Sequence, residues 1–176
     1  MRFEVNGNLS KEDNFSLFMN YVTQTFGYFL ETFGLDVMGK YELYIDNATA
    51  HSGPVPITTV VFGKFIIIKL GIKNFYSIEQ IVFQFAHELC HYVFYSLMGL
   101  EKKLADNEEE NICTAMSLIV VKHFFPKGID IHIKYVRNLK EEQYKYGADI
   151  AEEVNFDIKK LKNKIYDYCC TSTAIK

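Results

Sequence analysis

The chain has 176 residues, 49% of them hydrophobic, 15% aromatic and 23% charged. That size suits one domain, residues 1–176, with a sizeable core, and so much apolar content with only 3 Pro excludes a disordered or low-complexity chain. The 19 Lys+Arg against 22 Asp+Glu, a net charge of −3, remove the electrostatic case for nucleic-acid binding.

The opening Met1–Gly7 lacks an apolar core behind a basic start, so no signal peptide is expected, and runs such as Phe65-Ile66-Ile67-Ile68 are too short to span a bilayer. The expectation is a soluble cytoplasmic protein with no membrane partner. The cysteines, Cys90, Cys113, Cys169 and Cys170, form no CxxC pair and read as thiols. Lysine far outnumbers arginine (Arg2 and Arg137), and Asn, Ile, Phe and Tyr abound. Such usage suggests an AT-rich coding sequence, as in low-GC bacteria, their phages or other mobile elements.

In chain order, Ser10-Lys11-Glu12-Asp13 offers a helix cap. Phe15, Phe18, Val22, Phe26, Phe29 and Phe33 then recur at steps of three and four up to Gly34. Strands are expected at Tyr41–Ile45, Thr58–Phe62 and Phe65–Leu70. Residues 47–56 should form a loop, and Gly63-Lys64 the turn of a hairpin. A second helix runs from a capping box at Ser77 to about Leu97, and a third from about Asp106 to Phe124, stopping before Pro126. The tail from Asn138 reads as helical, with Ile150, Val154, Ile158, Leu161, Ile165 and Tyr168 on one stripe that packs on the core.

The second helix carries His87-Glu88-Leu89-Cys90-His91, an H-E-x-x-H pattern. Two histidines four residues apart leave one helix face about a turn from each other, a spacing that lets both imidazoles reach a single zinc ion. Glu88 beside them is expected to act as general base on a water at that zinc. The helix is apolar on nearly every side except a strip of Gln84, His87, Glu88 and His91. Buried groups of that kind need partners, which a metal would supply. A third ligand is expected from Glu108, Glu109 or Glu110 on the next helix. The small residues Cys113 and Ser117, three and seven positions on, favour Glu110, with Glu109 next and Glu108 last.

H-E-x-x-H followed by a glutamate on a second helix resembles the gluzincin metallopeptidases. Within them, Glu110-Asn111-Ile112-Cys113-Thr114 with Ser117 and Leu118 resembles the E-x-x-[AC]-N-x-x-A segment of the small ImmA/IrrE-like proteases of bacteria and mobile elements. The resemblance spans roughly residues 77–121. It implies a minimal zincin-like α+β domain, with a small, mostly antiparallel sheet on a helical layer and the H-E-x-x-H helix at its centre. It also implies one Zn2+ per chain on His87, His91 and Glu110, Glu88 as catalytic base, and hydrolysis of a protein or peptide substrate. The alternative is a catalytically silent relative that binds a partner protein in a bacterial or mobile-element regulatory system.

Other residues are open candidates. His51, His123 and His132 could sit behind the ligands or face a transition state. Tyr92, Tyr95, Tyr135 and Tyr144 could include a phenol that stabilises an oxyanion. Cys90 and Cys113 could complete a structural site with the histidines. The strand Phe65–Leu70 could accept an extended peptide alongside it.

Overall fold

The structure, a computed structural model, describes residues 3–5, 14–47, 56–71 and 77–173. It is an α+β arrangement: β1 (Phe3–Val5), α1 (Phe15–Phe33), α2 (Leu35–Met38), β2 (Glu42–Asn47), β3 (Ile57–Val61) and β4 (Phe65–Leu70), followed by helices only. These are α3 (Ile78–Met98), α4 (Asn107–Phe124), α5 (Ile129–Arg137), α6 (Glu142–Lys145), α7 (Gly147–Glu153) and α8 (Ile158–Thr173). No helix among the described residues is long and apolar enough to cross a membrane.

Helix α1 buries Phe18, Val22, Phe26, Phe29 and Phe33, the stripe its periodicity sets out, and ends at Gly34 with φ 83°, a conformation glycine adopts without a Cβ clash. Its described part opens at Phe15 behind Asn14 in the left-handed region, φ 63°; the expected cap at Ser10–Asp13 lies outside the described residues. In β4 the side chains of Ile66, Ile68 and Leu70 are buried and alternate with half-buried neighbours. Across the ladder Leu43 pairs with Ile66 and Ile45 with Ile68, so one apolar face of the sheet turns toward the helices.

The sheet order is β1-β2-β4-β3. It corrects the expectation of a mostly antiparallel sheet: β1–β2 and β2–β4 are parallel, and only the β3–β4 hairpin is antiparallel. A tight turn fixes the pairing of the two strands it joins. Where β2 inserts depends on the return path of the chain, which hydrophobic alternation does not encode. Strand β1 was not expected at all; three residues carry too short a pattern. Because β4 is paired on both sides, Phe65–Leu70 is not free to accept an extended peptide alongside it, the possibility left open above. The outer position belongs to β3. The hairpin turn has Phe62 at φ 53° and Gly63 at φ 61°, with Lys64 N–H donating to Val61 O at 3.2 Å.

Helix α3 lies at the centre of the helical layer, with Val82, Phe85, Ala86, Leu89, Cys90, Tyr92, Val93 and Phe94 fully buried. Its N-cap, Ser77, makes no side-chain cap hydrogen bond, so the expected capping box does not form. Helix α4 packs against it, buried from Asn111 through Val121. It is capped by Asp106, whose side chain accepts from Glu109 N–H at 2.9 Å. The tail is not one helix: Asn155 and Phe156 both take left-handed φ, 57° and 54°, and separate α7 from α8. The apolar residues expected there still point inward, with Val154, Ile158, Leu161 and Ile165 buried.

Candidate metal centre

The α3–α4 contact brings His87, His91 and Glu110 together, with their ligand atoms all within 4.8 Å of one another. Glu110 Oε2 lies 3.0 Å from His87 Nε2 and 3.5 Å from His91 Nε2. Atoms this close together can be reached by one ion at ordinary metal–ligand distances. Glu108, by contrast, is exposed, as a solvated residue in the first turn of a helix should be.

Glu109, only 2% exposed, has a different place from either neighbour. Its Oε1 accepts from His91 Nδ1–H at 2.8 Å, which aims Nε2 toward Glu110. Its other oxygen, Oε2, is 3.0 Å from the buried Lys102 ammonium, which also lies 4.6 Å from the Tyr95 ring. The sequence pattern did not identify this Lys102–Glu109–His91 relay. Lys102 precedes the helix, and a triplet of acids does not show which member turns inward.

Burial alone would lower the His91 pKa, but hydrogen bonds to Glu109 and Glu110 and the charge of Glu88 raise it to about 10. Burial likewise pushes Glu110 upward, yet His87 and His91 hold it down at about 2. The carboxyl groups of Glu88, Glu109 and Glu110 outnumber the positive charges of Lys102 and the protonated His91 in a largely buried cluster. A divalent cation held there would displace the His91 proton and offset the acidic excess. The triad could therefore hold a metal ion.

Glu88, 4% exposed, stands beside the triad. The Thr58 hydroxyl of β3 lies 2.7 Å from Glu88 Oε2, to which it donates, and 3.0 Å from the Glu88 carbonyl. At the other end of the strip, Gly71 N–H donates to Gln84 Oε1 at 3.1 Å and ties the end of β4 to α3. Tyr144 of α6 packs edge-on to His87, with ring centroids 5.9 Å apart. Burial raises its pKa, with the charge of Glu110 adding to the effect.

Most of the remaining candidates lie elsewhere. His123 stacks on Tyr28 at 4.3 Å, and Tyr92 donates to the carbonyls of Met38 and Tyr41; both are packing groups. His132 pairs with Glu79 at 3.0 Å, away from the triad. Cys90 and Cys113 are free and buried. Cys113 Sγ approaches His91 at Nδ1, 3.5 Å away, on the side opposite Nε2. His51 lies outside the described residues. No protein-family model, curated protein or solved structure matches this chain.

Proposed function

We propose that the chain is a zinc-dependent peptidase of the gluzincin kind, in which His87, His91 and Glu110 hold the metal and Glu88 is the catalytic base. One observation carries this reading: two Nε2 atoms from one helix and one carboxylate oxygen from the next converge beside a buried glutamate that has its own orienting partner.

Bound zinc would supply Lewis acidity, polarising a peptide carbonyl and bringing the pKa of a water toward neutrality. The residues of the chain do the rest. The Thr58 hydroxyl fixes Glu88 Oε2, leaving Oε1 to take a proton from water and pass it to the departing amine. Tyr144, kept protonated by burial and by the neighbouring carboxylates, can donate its phenolic proton to an oxygen that gains negative charge. The Glu109–Lys102 pair holds the His91 ring in register.

The test separates binding from chemistry. Glu88→Gln should keep about one zinc per chain while cleavage of an unfolded protein such as casein falls by a factor on the order of 10² or more. His87→Ala and His91→Ala should lose the metal. Zinc loss in Glu88→Gln, or unchanged cleavage, would overturn the assignment. Zinc retention with no turnover by the unaltered chain would favour the silent, partner-binding alternative.

A further inference from the structure

His87 and Glu88 lie in a cleft of about 1070 Å3, much larger than the triad requires. Along α3 its wall includes Glu79, Phe83 and His87, spaced four residues apart. Eight residues of helix rise about 12 Å, which accommodates three to four residues of extended peptide at about 3.3 Å each.

Much of the rest of the wall is apolar. Leu17 and Tyr21 come from α1, and Ile131 and Tyr135 from α5, while Phe125 and Leu139 close it. Leu17, Ile131 and Tyr135 are 42%, 74% and 57% exposed. Large apolar side chains left in water along one groove mark a binding surface rather than scattered surface residues.

The charges in this groove have one sign. Glu79, Glu88 and Glu141 line it, whereas none of the chain's 19 lysines and arginines does so among the described residues. His132, which pairs with Glu79 at 3.0 Å and stacks on Phe83, offsets at most one of these carboxylates. An apolar floor between acidic walls favours a cationic, apolar occupant and repels an acidic one.

We infer that the cleft takes an extended peptide segment bearing bulky apolar side chains and a lysine or arginine within about four residues of them. The inference rests on the hydrolytic reading only in placing the scissile bond at the His87–Glu88 end. Recognition itself does not need the metal.

The experiment measures fluorescence anisotropy of the full chain, kept metal-free with a chelator so that no probe is cut. The probes are three dye-labelled peptides: Gly-Lys-Lys-Ala-Phe-Leu-Ala-Gly, its twin with Glu for both Lys, and its twin with Ser for Phe and Leu. At low salt the Lys peptide should bind on the order of tenfold tighter than the Glu twin, and the gap should close as salt rises. The Ser twin should bind weakly. Ile131→Ser, at an exposed position, should weaken binding of the Lys and Glu peptides alike, and Glu141→Lys should narrow the preference between them. Equal affinity for the Lys and Glu peptides, or no effect of Ile131→Ser, would overturn the proposal. That failure in a chain that still takes up zinc would leave the hydrolytic reading standing. Charge-selective binding in a chain that takes up none would uphold the cleft and refute the metal.

Discussion

Of the three consecutive glutamates that open α4, Glu110 faces the histidines, Glu109 is buried behind one of them, and Glu108 is in solvent. Successive helix residues point about 100° apart, so one helix turn can serve three environments. Legibility was uneven for this reason. The convergence of His87 and His91 is readable from their spacing alone, and that of Glu110 from the small residues Cys113 and Ser117 on its stripe. The place of Glu109 depends on Lys102, seven residues upstream in a segment with no periodic signal. A carboxylate that orients a ligand histidine is worth about 10- to 100-fold in metal affinity. Glu109→Gln should therefore weaken zinc binding by about that factor, whereas Glu108→Gln should change it by less than about twofold, since an exposed first-turn acid contributes only dipole electrostatics. Chelator competition on the two variants under one condition decides this; equal losses would mean that Glu109 has no orienting role.

Between elements, the close approach of α7 to α4 depends on a missing side chain. A Cβ at Gly147 would stand 2.5 Å from Thr114 Cβ and 2.6 Å from its Cγ2, with Asn111 O at 3.0 Å. Thr114 and Asn111 follow Glu110 in the same helix, so any displacement of α7 bears on the segment that carries the proposed ligand. Gly147→Ala should cost about 1–3 kcal/mol, as overpacking does in a filled core, and should lower the midpoint of urea unfolding. Thr114→Ser should not restore it, because the nearer contact is with Thr114 Cβ itself. A stabilised Gly147→Ala would show that the helices can part freely. The sequence marks this glycine only by its lack of a side chain, and its reason for being there is visible only once α7 lies across α4.

For the molecule as a whole, the apolar stripes were enough to place the helical layer and to identify its α+β class, because burial of a stripe is a local demand that any packing must meet. The strand order was not legible: Glu42–Asn47 and Phe65–Leu70 have the same alternation whether paired parallel or antiparallel. The proposed ligands lie on two helices joined through residues 99–106, so a bound ion would act as a cross-link between α3 and α4 that the unfolded chain lacks. Zinc at about 100 times its Kd should add about 2.7 kcal/mol to stability, which for this length is about 5–10 °C in Tm. Chelation should remove that gain, and His91→Ala should show none. A Tm indifferent to zinc in the unaltered chain would argue against a metal at this place.

The sheet order has a consequence for the behaviour of the protein in concentrated solution. Strand β3, Ile57-Thr58-Thr59-Val60-Val61, is outermost in the sheet, rich in β-branched residues, and carries neither charge nor proline. A strand of that composition, whose outer row of backbone groups meets no other strand among the described residues, is a template for the same strand of another molecule. Thr58, whose hydroxyl holds Glu88, lies on that strand, so stacking of molecules through β3 would disturb the partner of the proposed catalytic base as it built the aggregate. Turbidity on storage and loss of the proposed peptidase activity should therefore rise together. A lysine at the exposed neighbouring position, Thr59→Lys, should slow both.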